Sequence, residues 1–162
     1  MLIGVISDTH LPRGARRLPD SCIERLADAQ LILHAGDFVS VEALEEMEAI
    51  GPPLVGVYGN VDHEAVRRRL PAERTVDLDG IQIGMLHDAG PSRARFERMR
   101  ARFPGAAAVV YGHSHIPQHE RDDGFQLFNP GSPTDRRRQP SHTMGLARVE
   151  DGHVSFELIA LD

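Results

Sequence analysis

Five short apolar runs each lead into a residue able to bind a hard cation, and this repetition limits what the chain can fold into. The run Leu2-Ile3-Gly4-Val5-Ile6-Ser7 delivers Asp8 and His10. Later runs deliver Asp37 in His34-Ala35-Gly36-Asp37, Asn60 in Gly59-Asn60-Val61-Asp62, His87 in Met85-Leu86-His87, and His113 with His115 in Gly112-His113-Ser114-His115. Several buried strands that end in one place satisfy the pattern. In open α/β sheets, ligands gather at the carboxyl ends of strands. Residues i and i+2 of a strand share a face, so Asp8 with His10, and His113 with His115, are each expected to present two groups together. Gly36, Gly59 and Gly112 are expected to allow tight backbone turns just before their ligands.

Hydrophobic spacing supplies the elements between these ends. Strands are predicted at 2–7, 31–33, 54–58 and 107–111. Apolar residues at helical spacing predict helices at 21–29, 41–50, 63–70 and 92–103. Residues 74–78 and 81–86 flank Asp79-Gly80 and read as a hairpin. Strands at 118–121, 125–128, 143–149 and 154–159 follow, with turns at Asp123-Gly124 and Asp151-Gly152. The first half alternates strand and helix, which implies parallel strands with helices outside. The second half is mainly hairpins. Two mixed sheets packed face to face, with helices on the outer faces, satisfy both halves. The polar loop 130–141 is long enough to carry function.

A length of 162 residues suits one domain, 1–162. The 41% hydrophobic content supports a core, and with 5% aromatics that core must lean on Val, Ile, Leu and Ala. A formal charge of -6 argues against general nucleic-acid affinity. The single cysteine, Cys22, excludes an internal disulfide and a thiolate cluster, and is read as a small residue on a helix face. No basic leader precedes Leu2, and no run approaches a membrane span. A cytoplasmic chain is the expectation.

Seven ligands exceed one tetrahedral ion and suit two divalent cations about 3.5–4 Å apart. Their mutual repulsion is roughly 5 kcal/mol even in water, so an anionic bridge is required. Asp37, alone between the other sets, is the natural bridging carboxylate, and hydroxide the second bridge. Two dications less two carboxylates and one hydroxide leave about +1, which attracts an anionic substrate. Oxygen and nitrogen donors suit Mn, Fe, Zn, Ni or Mg, with Mn placed first.

Asp8-Thr9-His10, Gly36-Asp37, Gly59-Asn60, His87 and Gly112-His113-Ser114-His115 together resemble the calcineurin-like metallophosphoesterases. Tyr111-Gly112-His113-Ser114-His115 and Asn129-Pro130-Gly131-Ser132-Pro133 are similar to the small, cap-less phosphodiesterase branch of bacteria and archaea. The resemblance runs from Met1 to about Leu146. It implies a four-layer αββα sandwich and a two-metal phosphodiesterase acting on a small or nucleotide-like phosphoester. By the resemblance, Asp8, His10, Asp37 and His115 bind one metal, and Asp37, Asn60, His87 and His113 the other. A bridging hydroxide attacks phosphorus, with Asn60, His87 and His113 as the catalytic set and Asn60 also touching substrate. Two positions depart from the pattern. Relatives often carry a leaving-group acid, His, where Val61 stands. They usually show His-Gly where this chain has His87-Asp88, and Asp88 could orient His87, bind substrate or face water.

Other residues read more plainly. His34 is either a support beneath the metals or a buried, hydrogen-bonded histidine. His63, His119, His142 and His153 are expected at the surface. Arg67-Arg68-Arg69 and the arginines of 93–102 read as solvated helix faces. Arg136-Arg137-Arg138 follows Asn129-Pro130-Gly131-Ser132, and one of them, Arg136 or Arg137 foremost, could clamp a phosphate oxygen. Asn129 and Gly131 are expected to shape that loop, Gly131 through positive φ. Competing classes are a non-catalytic scaffold or binding protein that keeps the fold, and a nuclease, which charge and aromatics disfavour. The expected partners are a small phosphoester and, through edge strands, a second copy, with no membrane.

Overall fold

A computed structural model describes residues 1–11 and 16–162. Its elements run β1 (Leu2–Ile6), α1 (Asp20–Ala27), β2 (Leu31–His34), α2 (Val41–Glu48), β3 (Leu54–Gly56), α3 (Glu64–Arg69) and β4 (Glu73–Leu78). Then come β5 (Ile81–Leu86), α4 (Arg95–Arg102), β6 (Ala108–Val110), β7 (Gln118–Asp122), β8 (Phe125–Asn129), β9 (Thr143–Glu150) and β10 (His153–Ala160). They form two mixed five-stranded sheets, ordered β10-β9-β1-β2-β3 and β4-β5-β6-β8-β7. In the first, β1, β2 and β3 are parallel and the β9–β10 hairpin adds antiparallel to β1. In the second, β5, β6 and β8 are parallel, with β4 and β7 as antiparallel edges.

The central strands are buried on both faces, and alternate side chains meet different layers. Ile3, Val5, Leu31 and Leu33 of one sheet meet Ile83, Met85, Ala108 and Val110 of the other in the central core. The alternate residues face outward. Ile6 and Ile32 pack on Leu26 of α1 and Leu44 and Met47 of α2. Val109 and Leu127 pack on Met99 of α4 and on Phe103. The order is therefore helices, sheet, sheet, helix, as expected. Gly84 is required by this packing, because a Cβ there would strike the Phe103 ring. Cys22 is fully buried on α1 beside Leu26, and burial pushes its thiol up to about 12.

Most element ends lie one or two residues from the predicted ones, and two differences have a clear physical reason. Helix α4 begins at Arg95 instead of Ser92, because Ala94 adopts φ 51°, a left-handed conformation no helix interior accepts. Strand β1 stops at Ile6, before its ligands, for the reason given below. Among the described residues no helix is long and apolar enough to cross a membrane.

Candidate metal centre

The parallel strands β1, β2, β3, β5 and β6 all end on one side of the molecule, and their following turns carry every ligand candidate. The i, i+2 argument is not how they converge. Asp8 (φ 57°), His10 (φ 47°), Asp37 (φ 65°), His113 (φ 73°) and His115 (φ 61°) lie in left-handed turns beyond the strands. Asp and His tolerate that region better than most side chains. His113 and His115 consequently diverge: His115 Nε2 is 3.5 Å from Asp8 Oδ1, whereas His113 Nδ1 is 3.1 Å from Asn60 Oδ1. The glycines also act differently from expectation. Gly36 alone of the three has positive φ, at 100°. Gly59 and Gly112 are needed for close approach, since a Cβ would overlap Asp37 Oδ1 at the first and Ser7 Oγ and Asp8 Oδ2 at the second.

All seven candidates come together. His10 Nε2 lies 3.7 Å from Asp8 Oδ1 and 3.3 Å from Asp37 Oδ2. His87 Nε2 lies 3.1 Å from Asp37 Oδ2, 3.8 Å from Asp8 Oδ1 and 3.0 Å from Asn60 Oδ1. Two tight groups result, Asp8–His10–His115 and Asp8–Asp37–His87. They share Asp8, while Asp37 Oδ2 touches one histidine of each. Asp8, His10, Asp37, His87 and His115 are buried; His113 is half-exposed and Asn60 is exposed, with its Oδ1 turned toward both His87 and His113.

Neighbours fix the ligand atoms. His87 Nδ1 donates to Ala35 O at 2.7 Å and His115 Nδ1 to Asp135 O at 2.6 Å, which turns each Nε2 lone pair toward the centre. Asp8 Oδ2 accepts from Ser7 Oγ at 2.8 Å and His113 N at 3.0 Å, leaving Oδ1 aimed inward. Asp37 Oδ1 accepts from Val61 N at 3.0 Å, leaving Oδ2 inward. Asp8 Oδ1, His10 Nε2 and His115 Nε2 are buried without a hydrogen-bond partner. Orphaned buried polar atoms are rare. Three that face each other as lone-pair donors fit a divalent cation, and the all-oxygen and nitrogen set fits a hard one.

The electrostatics agree. Burial alone would lower the His10 pKa, but Asp37 and Asp8 raise it to about 9. Burial would raise Asp37, yet His10 and His87 hold it well below the carboxylate range. Burial lowers His115 against the pull of Asp8. The carboxylates thus draw positive charge to this point.

Residues that looked incidental carry the scaffold. Asp62 is buried: Oδ2 accepts from Asp37 N at 3.0 Å and Gly59 N at 2.7 Å, and Oδ1 from Val39 N at 2.7 Å. Ser132 Oγ donates to Asp8 O at 2.8 Å and Thr134 Oγ1 to Thr9 O at 2.6 Å, so the long loop clasps the Asp8 turn. Gly131 takes φ 72°, as expected, and Asn129 Nδ2 donates to Gly112 O at 3.2 Å. Asp88 does not orient His87. Its Oδ1 accepts from Gly90 N at 2.8 Å, and its Oδ2 lies 3.9 Å from His113 Nε2. Arg136 is exposed and donates to Gln139 O at 2.6 Å, whereas the Arg137 charge bears on His115 and Asp135. His63 and His153 are exposed; His142 pairs with Asp162 at 2.7 Å; His119 is half-buried against Phe128 and Phe156.

His34 is fully buried and stacked on Phe38 at 3.6 Å. Its Nδ1 accepts from Gly36 N at 3.1 Å, which places the proton on Nε2 facing Thr9 Oγ1. Burial depresses its pKa from 6.5 to about 3. Below about pH 6.5 the unfolded chain therefore binds a proton that the fold refuses, and stability falls as pH drops. Between pH 7 and pH 5 this is expected to cost the metal-free fold about 2 kcal/mol. Urea unfolding at both values, compared with His34→Asn, measures it. An equal pH slope in the variant would reject the assignment.

The calcineurin-like phosphoesterase superfamily domain matches residues 1–152. A probable metallophosphoesterase of Methanothermobacter thermautotrophicus is 35% identical over 162 residues, spanning 98% of this chain and 92% of that protein. A phosphodiesterase of Methanocaldococcus jannaschii is 29% identical over 81% of this chain and 83% of its own length. The crystal structure of Vps29 complexed with zinc from Entamoeba histolytica superposes with a TM-score of 0.78 at 20% identity, covering 100% of both chains, a likeness of fold.

Proposed function

The chain belongs to the calcineurin-like phosphoesterase superfamily, and from that premise we propose that it is a two-metal phosphodiesterase, a single domain acting in the cytoplasm on a small or nucleotide-like phosphoester. One observation carries the reading: Asp8 Oδ1, His10 Nε2 and His115 Nε2 are buried, unpartnered and aimed at one another. Asp8, His10, Asp37 and His115 would hold one cation, and Asp37, Asn60, His87 and His113 the other. Bound there, the pair would supply Lewis-acid polarisation of a phosphoryl oxygen and a water nucleophilic at neutral pH.

The chain's own groups define the rest. Asn60 Oδ1 lies 3.0 Å from His87 Nε2 and 3.1 Å from His113 Nδ1, where it would join them as a metal ligand, so its Nδ2 is the donor left for a phosphoryl oxygen. His113, half-exposed at the rim, stands where substrate enters. Arg137 adds positive charge beside His115. Neither Val61 nor Asp62 protonates a leaving group: one lacks a proton to give, and the other is consumed by three backbone N–H groups.

Stripping the protein with a chelator and adding back Mn, Ni, Fe, Zn or Mg tests the reading. Turnover of 4-nitrophenyl diesters is expected to vanish and return, with Mn foremost. Alkyl diesters are expected to lag by about 100-fold or more, since general acid help is worth roughly 100- to 10,000-fold. Equal aryl and alkyl rates would overturn the absent-acid assignment. Stoichiometric metal uptake without turnover of any monoester, diester or cyclic nucleotide would favour the alternative, a binding protein that keeps the fold.

A further inference from the structure

The three consecutive arginines of α3 do not share one environment. Arg68 pairs with Glu64 at 2.9 Å and Arg69 with Glu48 at 2.6 Å, as a solvated face would. Arg67 turns the other way. Its Nε donates to Asp62 O at 3.0 Å and its Nη2 to Asn60 O at 3.3 Å, and its guanidinium lies over the Tyr58 ring at 5.0 Å. Among the described residues no carboxylate pairs with it, and Nη1 makes no hydrogen bond. A cation fixed on three sides and uncompensated on the fourth is arranged to receive an anion.

The setting supplies room for one. A groove of about 360 Å³ runs from Asn60, His87 and Asp88, past Tyr58 and Arg67, to Glu73 and Arg102. That volume falls in the small-ligand range of roughly 300–1,000 Å³. At the far end Arg102 is neutralised by Glu73 at 2.5 Å, and at the near end the Asp88 carboxylate accepts from Gly90 N at 2.8 Å and lies 3.9 Å from His113 Nε2. Arg67 is therefore the groove's uncompensated cation among the described residues, and it hangs from the turn that carries Asn60.

Resting on the phosphodiesterase reading, we propose that this groove seats the part of the substrate beyond the reacting phosphorus, and that Arg67 binds a second anionic group there, a phosphate or carboxylate. The enzyme then prefers phosphodiesters carrying two separated negative charges. The shared chemistry is an anionic oxygen cluster on a planar guanidinium, and the two sources differ in charge and in oxygen count.

Three diesters with one leaving group decide the matter: ethyl, 2-carboxyethyl and 2-phosphonoethyl 4-nitrophenyl phosphate. Wild-type kcat/KM is expected to favour at least one charged ester by about tenfold, and the better of the two names the source. Arg67→Met should bring that ratio close to one, Arg67→Lys should retain part of it, and Arg68→Met should leave it intact. A wild-type ratio near one overturns the proposal, whatever the variants do. So does a ratio preserved in Arg67→Met. Calorimetry on the manganese-loaded protein separates this proposal from the hydrolase reading. If no ester turns over, yet 2-carboxyethylphosphonate binds about tenfold tighter than propylphosphonate in wild type and not in Arg67→Met, the groove stands and the hydrolase falls. Equal affinities with normal turnover overturn the groove alone.

Discussion

Replacing Asp62 with alanine is expected to lower the unfolding free energy by about 3–5 kcal/mol and to loosen the candidate metal site at the same time. The side chain is 4% exposed and satisfies the N–H groups of Asp37, Val39 and Gly59. Each buried N–H left unpaired costs roughly 1–3 kcal/mol, less where water enters the vacated space. The three donors come from two turns, after β2 and after β3, so the carboxylate is a strap between them. It also holds Val39 at φ 97°, a conformation a β-branched residue resists. Asp62→Asn is expected to lose about half as much, because its single carbonyl oxygen can replace Oδ2 while its amide opposes the Val39 N–H. Urea unfolding in chelator gives both numbers. A loss below about 1 kcal/mol for Asp62→Ala would show that the strap is not structural.

This residue also marks the limit of what could be read from the chain. Val61-Asp62 stood out only as a departure from a pattern, and the work of Asp62 is invisible until three backbone donors are seen around it. The supports at Ala35 and Asp135 are carbonyl oxygens, which any residue provides, so no side-chain identity reports them. By contrast, the layers were legible, because strand–helix alternation in the first half and hairpins in the second are both satisfied by two mixed sheets with helices outside; runs such as Ile3-Gly4-Val5-Ile6 and Ala108-Val109-Val110 are apolar throughout and do not say which residue faces which layer. The seven ligand candidates were legible too, since each follows an apolar run closely enough that the strand end locates it. The reason assigned to their pairing was wrong. Strand periodicity does not bring Asp8 beside His10; successive left-handed turns do, and the cue was the residue types themselves. Arg67 is exposed like its neighbours, as read, but spacing on a six-residue helix cannot say that it alone turns back toward the preceding loop.

Asp37→Asn is expected to abolish phosphoester turnover, by about 1,000-fold or more in kcat/KM, while leaving the metal-free fold intact. The substitution is nearly isosteric. Its amide oxygen can keep the bond from Val61 N that now ends on Oδ1 at 3.0 Å. What changes is the atom at Oδ2, which lies 3.3 Å from His10 Nε2 and 3.1 Å from His87 Nε2, between the two histidines. An amide nitrogen there has no lone pair for a cation and no charge to offset repulsion between two of them. Metal polarisation is worth several kcal/mol at the transition state, and about 4 kcal/mol corresponds to roughly 1,000-fold. No backbone N–H is stranded, because the inward oxygen makes no backbone contact, but the buried pairing of Asp37 with His10 and His87 is lost, so stability in chelator falls while the chain still folds. Elemental analysis should find less than two equivalents of metal after exchange into Mn, alongside a cooperative urea transition in chelator whose midpoint lies below that of the wild type. A variant keeping more than a tenth of the wild-type rate would mean that the carboxylate between His10 and His87 is not the group on which catalysis depends.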